Sequence, residues 1–437
     1  MCMPSSSVAR RQALRRSEMT IASTQARATR PAPLRGIKVL DLSRILAGPW
    51  AGQLLGDLGA DVIKIERPQS GDDTRSWGPP WLRDEAGNPT RDAAYYFCAN
   101  RNKRSLAIDI STAEGQALIR ELACKADVLL ENFKVGGLKQ YGLDAESLLE
   151  LNPRLVYASI TGFGQNGPYA SRAGYDFLIQ GMGGLMSVTG RHEREEGAGP
   201  QKVGVALTDV MTGLYTTIGV LAALAERDKT GKGQHIDVAL LDVQVAALAN
   251  QAANYLIGGM VPERMGNAHP NIVPYQDFPT ADGDMILAIG NDAQFARFCA
   301  VAGHPEWAQD ARFSTNRGRV ENRAVLLPLI RQTTVFRPTH EWIAALEQEG
   351  VPCGPINRID QVFNDPQVQA RQLRVTLPHP VAGEVPLVAN PIRLSGSPVE
   401  YRRAPPLLGE HTEEVLSEWL DLSDSQLQQL KDAQVIR

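Results

Sequence analysis

Residues 37–65 read IKVLDLSRILAGPWAGQLLGDLGADVIKI, and this stretch decides the fold class of the chain. Residues 37–42 form a short apolar run, 50–58 have the composition of a helix, and 61–65 are again short and rich in β-branched residues. Two short apolar strands with a helix between them predict a β-α-β unit.

The same alternation of strand and helix continues through the first third of the chain. Strands are predicted at residues 105–110, 127–131 and 154–161, and helices at 112–126 and 145–151. Short apolar strands alternating with helices are typical of a parallel sheet that is covered on both faces. The sequence therefore predicts an α/β protein whose main domain is built on a Rossmann-like parallel sheet.

The later part of the chain predicts a helix, a strand and a second helix, and then a loop and a smaller region of α+β type. A helix is expected from Asp209 to about residue 227, followed by a strand at 235–240 and a long apolar helix at 241–257. Residues 262–279 are rich in Pro and turn residues and are interpreted as a linker or an active-site loop. Beyond them we expect a strand at 284–289 and helices at 293–301, 319–331 and 340–349.

Composition and charge limit the classes of function. With 437 residues, 43% of them hydrophobic and 22% charged, the chain can bury a large core and divide into two domains. A net charge of -4 and a pI of about 6.0 give no broad basic field, so nucleic acid is not an expected partner. No run approaches the roughly 18 consecutive apolar residues of a membrane span, so we expect a soluble protein without a membrane partner.

The cysteines and the N-terminal residues bear on the cellular compartment. Five cysteines are scattered without CxxC pairing, and their odd number argues against a disulfide framework, so a reducing, cytoplasmic location is expected. Residues 1–35 contain seven arginines against the single acid Glu18, a composition that is compatible with a mitochondrial presequence and hence with the mitochondrial matrix. The preferred interpretation is a disordered basic tail, or an upstream start with Met19 as the true initiator instead of Met1.

Residues 162–167, GFGQNG, formally satisfy the dinucleotide pattern GxGxxG. Pro168 follows at once, where that motif requires a helix to open on the pyrophosphate, so a nucleotide cofactor is not predicted. A glycine-rich turn that lets a ligand approach the backbone is the better interpretation. The sequence also lacks HExxH, paired CxxC and GxSxG motifs, so neither a metal site nor a serine-hydrolase triad is expected.

A series of motifs from residue 36 onward carries the expected chemistry. In chain order they are VLDLSRILAGP (39–49), GDLGADVIKIERP (56–68), NKRS (102–105), ENF (131–133), TGFGQ (161–165), GVALTDVMTGLY (204–215), KTGKGQ (229–234), GVPCGP (350–355) and LGEHT (408–412). Together they resemble the family III CoA-transferases, also called the CaiB/BaiF family. The resemblance implies that acyl-CoA thioesters and carboxylic acids are the substrates and that no cofactor takes part.

The resemblance also implies a domain organisation and an assembly. Residues 36–228 and the return segment with C-terminal part at 351–437 would together form the large domain. Residues 229–350 would be the linker and the small domain, after the tail at 1–35. Two chains interlock as linked rings in this family, so an interlocked homodimer is expected.

The candidate catalytic residues are two aspartates and a tyrosine. In the family, the aspartate at the place of Asp209 is the nucleophile that takes the acyl group from CoA. Taken alone, Asp209 stands where an apolar run begins and could simply cap a helix N-terminus. The formyl-CoA:oxalate branch has an active-site glutamate at the place of Asp176, which the resemblance therefore adds together with its neighbour Tyr175. The alternative for Asp176 is an exposed aspartate in a turn.

The family's contacts with CoA map mostly onto residues in or just after predicted strands. By resemblance these contacts are Leu46, Ala47, Arg67, Ile108, Asn132 and Phe133. Arg67 is the expected partner of a phosphate. Lys103 and Arg104 could add positive charge, although an exposed basic pair is usually only solvated. Gln140 and Ala173 stand where the oxalate enzymes carry an arginine and a lysine, so other residues must hold part of the CoA phosphates.

The acceptor acid is inferred from resemblance to branches of the family. Residues 266–274, GNAHPNIVP, hold proline and β-branched residues where the oxalate branch has a run of glycines, so oxalate is disfavoured. The segments GDDTRSWGPP (71–80), AANYLIG (252–258) and IVPYQ (272–276) are most similar to the succinyl-CoA:glutarate branch. We therefore expect transfer of CoA from succinyl-CoA, or a similar acyl-CoA, to a dicarboxylic acid such as glutarate. The cations predicted for the far carboxylate of that acid are Arg75, Arg172 and His269.

Other functions stay open at this point. They include transfer to a different carboxylate, formyl-CoA:oxalate exchange, and an inactive acyl-CoA-binding subunit, against which the retention of Asp209 speaks. The α-methylacyl-CoA racemases are similar too, but they carry a histidine at the place of Tyr175. Tyrosine, with a reference pKa of about 10, is a poor proton-transfer base at neutral pH.

Overall fold

The computed structural model describes residues 30–437. The predictions of a presequence, of Met1 or Met19 as the start and of most of the basic tail lie outside the described residues. Ala32 and Leu34 are buried, and the Leu34 N–H donates to Leu58 O at 2.8 Å. The predicted disordered tail therefore does not extend to residue 35, because its last residues pack against the first domain.

Strands and helices alternate over the first part of the described chain, as the apolar pattern predicts. The strands are β1 Lys38–Asp41, β2 Asp61–Glu66, β3 Trp81–Arg83, β4 Pro89–Ala93, β5 Lys103–Ala107, β6 Val128–Glu131, β7 Val156–Thr161, β8 His235–Ala239, β9 Tyr275–Pro279, β10 Asp284–Ala288, β11 Cys353–Pro355, β12 Arg374–His379 and β13 Gly383–Val388. The helices are α1 Ala47–Asp57, α2 Ala94–Phe97, α3 Ala113–Lys125, α4 Ala145–Leu151, α5 Asp176–Met182, α6 Leu185–Val188, α7 Leu207–Thr230, α8 Leu240–Ala246, α9 Ala249–Gly258, α10 Asp292–Val301, α11 Asn316–Glu321, α12 Arg323–Thr334, α13 Thr339–Gln348, α14 Ile359–Val362, α15 Pro366–Ala370, α16 Thr412–Leu420 and α17 Asp424–Asp432.

The described chain divides into two compact units, and the first contains the main sheet. This unit comprises the described residues up to Gly174, Thr208–Val243 and Gln372–Arg437. In these residues six strands pair in the order β5-β2-β1-β6-β7-β8, and every pair is parallel. The predicted parallel sheet is thereby confirmed.

Side chains alternate between the two faces of this sheet, and helices cover both. Leu40, Ile63 and Leu129 pack in one core with α3 and α16. The strand neighbours Val39 and Val62 pack in a second core with α1 and α7. Because each strand is buried on both faces, its sequence reads as a continuous apolar run.

Helix α7 is long and apolar enough to cross a membrane, judged by length and composition alone. Its residues Val220, Ala223 and Leu224 are buried in the second core of the first unit. Packing against the sheet accounts for the apolar character of this buried face, while Ile218 on the same helix is exposed.

The second unit comprises Tyr175–Leu207 and Gln244–Arg371. Its antiparallel sheet has the order β11-β10-β9. Phe278 and Leu287 of this sheet pack with Phe295 and Phe298 of α10 in a core of their own. This unit combines α and β elements, as predicted for the smaller region.

The observed division differs from the predicted boundaries because strand pairing joins remote segments. Strand β8 pairs with β7, which assigns residues 229–243 to the first unit instead of the linker. Strand β11 pairs with β10, which assigns residues 351–371 to the second unit instead of the return segment. Residues 175–207 also belong to the second unit.

Three predicted elements after residue 240 also need correction. One is the helix expected at 319–331, which Asn322 divides into α11 and α12. The helix expected at 241–257 is broken into α8 and α9, and Ala249 at the break has a φ of 44°. The loop expected at 262–279 ends in strand β9, where the buried Gln276 and Phe278 alternate with less buried residues, so a continuous apolar pattern is absent.

Candidate active site

The carboxyl ends of the parallel strands bring most of the predicted CoA contacts together. Arg67 directly follows β2, and Asn132 and Phe133 directly follow β6. Because the strands are parallel, these residues and the turn from β1 into α1 lie at the same edge of the sheet. Ligands of open α/β sheets bind at this edge.

A cavity of about 60 Å³ opens at this edge, and both apolar and charged side chains line it. Its apolar lining consists of Leu42, Ile65, Ile108, Ile110 and Phe133. Arg67 lies on its rim and is exposed. The guanidinium of Arg67 forms no hydrogen bond or ion pair with the rest of the described chain. In this cavity, called the slot below, apolar side chains can contact the face of a heterocycle, and the free guanidinium of Arg67 can bind a phosphate attached to it.

Asn132 shapes the turn from β1 into α1. Its Oδ1 accepts from the Arg44 N–H at 2.9 Å, and its Nδ2 donates to Arg44 O at 2.7 Å. The Asn132 amide is therefore engaged with the backbone of this turn. Leu46 and Ala47, at the start of α1, are both buried.

Sequence reasoning missed Arg44, Lys64 and Asp72, which also line the cavity. The Arg44 guanidinium lies 5.6 Å from the centre of the Phe133 ring and forms an ion pair with Asp73 at 2.9 Å. The sequence could have indicated Arg44 and Lys64, because they lie within the motifs at residues 39–49 and 56–68.

Asp209 is the third residue of α7 and is half-buried. The helix begins at Leu207 and ends at Thr230, so Asp209 lies within its first turn and is not its N-cap. The positive end of the helix dipole favours an ionised carboxylate at this place. The alternative role of Asp209 as a simple N-cap therefore does not fit the structure.

The N-terminal parts of α7 and α1 cross at very short range. A Cβ placed on Gly213 would lie 2.7 Å from Ala47 O and 3.0 Å from the Trp50 Cβ. Only glycine permits this approach of the two helices. Gly213 follows Asp209 by one helical turn, so Asp209 lies one turn from the crossing.

Tyr175 and Asp176 belong to the second unit, at the start of α5. Asp176 is half-buried and its Oδ2 accepts from Gln180 Nε2 at 2.7 Å, while Gln180 Oε1 accepts from the Val203 N–H at 2.9 Å. The alternative of an exposed turn aspartate therefore does not fit Asp176. Tyr175 is 61% exposed.

The predicted CoA contacts Lys103 and Arg104 do not fit their positions. Lys103 is wholly buried, with its Nζ 2.8 Å from Asp41 Oδ2. Burial lowers the pKa of Lys103 to about 8, although Asp41 opposes the change. Arg104 is committed to acids of α16, with Glu414 at 2.9 Å and Glu418 at 2.6 Å. Both cations stabilise the first unit and have no free charge for a phosphate.

The predicted acceptor contacts Arg75 and His269 need the same correction. Arg75 is buried and binds Glu66 at 2.8 Å and Asp92 at 2.9 Å, so its charge is already matched. Burial and the neighbouring Arg323 lower the pKa of His269 below its usual value, so its ring is neutral at neutral pH and is not the expected cation. Arg172 is exposed, and its guanidinium lies over the rings of Phe163 and Tyr169.

The turn at residues 162–167 lacks the helix that a dinucleotide-binding motif requires, as Pro168 predicts. No helix opens after it, and Gly162 instead packs directly on Gly174 within the first unit. A Cβ on Gly162 would lie 2.5 Å from the Gly174 Cα. Gln140 uses its amide locally by donating to Gly137 O, and Ala173 is exposed. Within residues 30–437, no cluster of three His, Cys, Asp or Glu could hold a metal ion.

Glu131 ends β6 immediately before Asn132 and is buried. Burial raises the pKa of this carboxyl to about 7, and the charge of Asp237 adds to the rise, while Ser159 and the Phe133 N–H oppose it. A folded pKa above the ordinary value of 4.5 means that the folded state retains a proton that the unfolded state releases. The stability from this group is therefore complete below pH 4.5 and is lost as the pH rises through 7.

We expect Glu131→Gln to remove this pH dependence, because the amide keeps an acceptor for the Phe133 N–H and cannot ionise. As the pH rises from 4.5 to 8, the unsubstituted protein should lose about 3 kcal/mol of unfolding free energy relative to the variant. Urea unfolding of both proteins at several pH values measures the difference. A difference that stays constant over this range would contradict the prediction.

The comparison with known proteins decides the family. A family model described as CoA-transferase family III matches residues 34–412. The chain belongs to the family III CoA-transferases. This CoA-transferase is 53% identical over 389 residues to the succinate–glutarate CoA-transferase of Agrobacterium fabrum, covering 89% of this chain and 96% of that protein. It is 44% identical to human succinyl-CoA:glutarate CoA-transferase, over 92% of this chain and 90% of that protein.

Solved structures show the same family. The crystal structure of a CaiB/BaiF family protein from Brucella suis is 51% identical, with a TM-score of 0.79. The match covers 89% of this CoA-transferase and 100% of the Brucella chain.

Proposed function

We propose that this family III CoA-transferase moves CoA from succinyl-CoA to a dicarboxylic acid such as glutarate. The observation that carries the proposal is the similarity, over nearly the whole chain, to two enzymes named for succinate and glutarate. The slot with Arg67 on its rim supports the CoA part of the proposal. We propose that no cofactor takes part and that the enzyme is cytoplasmic, with the mitochondrial matrix as the alternative location.

In the proposed mechanism the Asp209 carboxylate attacks the thioester carbonyl and displaces CoA thiolate, which forms a mixed anhydride. The thiolate then attacks the aspartyl carbonyl, so that the donor acid leaves and an aspartyl-CoA thioester remains. The acceptor carboxylate attacks this thioester and releases the thiolate again. Attack of the thiolate on the acceptor carbonyl gives the new acyl-CoA and frees Asp209. We propose catalytic roles for Asp176 and Tyr175 as well, and exclusion of water during transfer.

Incubation with succinyl-CoA and a panel of carboxylic acids tests the function, with mass spectrometry of the acyl-CoA products. Glutarate should give glutaryl-CoA and succinate with ping-pong kinetics. If only oxalate or formate gave an acyl-CoA product, the acceptor acid would be that of another branch of the family.

A different measurement tests for racemase activity. With Tyr175 at the place of a histidine base, the enzyme should leave α-hydrogens untouched. In deuterated water, 2-methylacyl-CoA should gain no α-deuterium. Uptake of deuterium without acyl exchange would favour the racemase and make Asp209 a proton-transfer group.

We propose that two copies form an interlocked homodimer. Large apolar side chains are exposed on α7, where Ile218 is 61% exposed, and on α9, where Leu256 is 79% and Ile257 is 88% exposed. Exposed apolar groups of this size are typical of surfaces that another chain covers. Light scattering should give twice the monomer mass, and a monomer at micromolar concentration would contradict the dimer.

The cavity at the carboxyl edge of the sheet, which Arg67 lines, is called the CoA slot from here on. We expect Arg67→Ala to raise the apparent KM for succinyl-CoA by about 10- to 100-fold, because one charge-assisted phosphate contact is lost. The KM for the acceptor acid and kcat should change little, since a remote contact contributes binding more than transition-state selectivity. Arg317→Ala, which removes an exposed arginine of α11, is the matched control and should be silent. Equal changes in both KM values would show that Arg67 does not act on CoA.

A further inference from the structure

The turn from β1 into α1 contains a strained backbone conformation. Ile45 has a φ of 74°, in the left-handed region that β-branched residues rarely adopt. Such conformations persist only where the surrounding structure enforces them, and they cluster at functional sites.

The ion pair of Lys64 and Asp72, here called the Lys64–Asp72 clamp, holds this turn from two sides. The Ile45 N–H donates to both Asp72 carboxylate oxygens, at 3.3 and 3.2 Å. Lys64 Nζ lies 2.8 Å from Asp72 Oδ2 and donates to Ser43 O at 2.9 Å. Asp72 Oδ1 also accepts from the N–H and the hydroxyl of Thr74, at 2.9 and 2.7 Å.

The clamp supplies a hydrogen-bond acceptor that an apolar pair of similar volume would lack. Both side chains are completely buried, and a buried ion pair is often no more stabilising than an apolar pair of similar volume. An apolar pair could not accept the Ile45 N–H, however. Burial would raise the pKa of Asp72, but Lys64 and the Thr74 hydrogen bonds outweigh it and lower this pKa to about 2. The acceptor is therefore ionised over the whole working range of pH.

The clamp also touches both parts of the candidate site in the first unit. Lys64 and Asp72 form part of the wall of the CoA slot. The turn that they hold leads directly into Ala47, whose carbonyl oxygen meets α7 at Gly213, one helical turn from Asp209. A relaxed Ile45 would move the start of α1 relative to the slot and to α7 together.

We propose that Lys64 and Asp72 are positioning residues, which keep Ile45 left-handed and so hold the start of α1 in the geometry that CoA binding and acyl transfer need. This inference rests on the proposed CoA transfer. It adds a role for residues that touch neither the acyl group nor the acceptor acid.

The test must separate positioning from stability, since Asp72→Asn alone leaves a buried Lys64 unpaired. The double variant Lys64→Met with Asp72→Leu removes both charges and should fold, yet it leaves the Ile45 N–H without its acceptor. We expect kcat/KM for succinyl-CoA to fall at least 30-fold and CoA to bind at least 10-fold more weakly by calorimetry. The thermal unfolding midpoint should stay within a few degrees of the original.

Adding Ile45→Gly to the double variant is the decisive step, because glycine adopts a positive φ without strain. We expect this triple variant to recover at least fivefold in kcat/KM and in CoA affinity. Ile45→Ala in the same background removes the side chain but keeps a Cβ, so it should recover much less. Should the double variant not fold, the glycine and alanine variants are compared in Asp72→Asn, with rates normalised to the folded fraction.

Wild-type activity of the double variant, or equal recovery with glycine and alanine, would overturn the positioning role. A wild-type protein that exchanges no CoA would instead overturn the proposed function. In that case, calorimetry with CoA still reports whether the clamp shapes the slot, so the two failures are distinguishable.

Discussion

Asp209→Asn is expected to lower the rate of CoA transfer at least about 1000-fold while the fold and the affinity for CoA stay nearly unchanged. The amide has almost the same shape as the carboxylate, but it is neutral and cannot attack a thioester to form an anhydride. Asp209 lies in the first turn of α7, where an amide disturbs the helix little. The loss should therefore be in kcat and not in the binding of CoA.

The covalent intermediate gives a second measurement of the same prediction. With succinyl-CoA present, hydroxylamine should attack the aspartyl carbonyl of the aspartyl-CoA thioester and release CoA. The hydroxamate that remains on Asp209 is seen as inactivation and as a mass change in the peptide that contains it. Asp228→Asn is the matched control, because Asp228 is an exposed aspartate on the same helix. Activity above a few per cent in Asp209→Asn, with deamidation excluded, would falsify the assignment of the nucleophile.

Gly213→Ala is expected to lower the unfolding free energy by about 2 kcal/mol, since overpacking against a rigid neighbour outweighs the better helix propensity of alanine. The new Cβ would lie 2.7 Å from the carbonyl oxygen of Ala47, so α7 and α1 must move apart. Because Asp209 lies one turn away, a shift of this kind should also slow transfer, by about 100-fold.

Gly219 on the same helix offers a matched control for this substitution. A Cβ on Gly219 would meet the side chain of Ile236 at 3.2 Å, and a side chain can give way where a backbone carbonyl cannot. Gly219→Ala should therefore change stability by less than about 1 kcal/mol and leave transfer intact. Equal effects of the two substitutions, measured by denaturant unfolding and by kcat, would show that the α1–α7 contact does not position Asp209.

The main sheet could be predicted because its signal is local. The strands β1, β2, β6 and β7 are buried on both faces, and such strands must be short apolar runs wherever they occur. Their predicted ends agree with the observed ones to within two residues. The motif order likewise indicated the family, which the match over residues 34–412 confirms.

The partners of charged residues could not be predicted, because sequence patterns do not show which distant residues meet. Lys103 pairs with Asp41, which lies 62 residues away, and Arg104 with Glu414, which lies 310 residues away. In the sequence these two cations form a basic pair that a phosphate could use. In the folded chain each is already neutralised by a carboxylate.

By itself, the sequence determined the alternation of strand and helix, the family and the identity of the candidate nucleophile, because apolar periodicity and chemical motifs are properties of neighbouring residues. Only the tertiary structure decided which cations are free, since ion pairing depends on contacts made across the sheet. It also decided which segments share a unit, because β8 and β11 find their partners far away along the chain. The tertiary structure likewise decided the left-handed conformation of Ile45. No local preference of isoleucine favours this conformation, and the Lys64–Asp72 clamp enforces it from outside the turn.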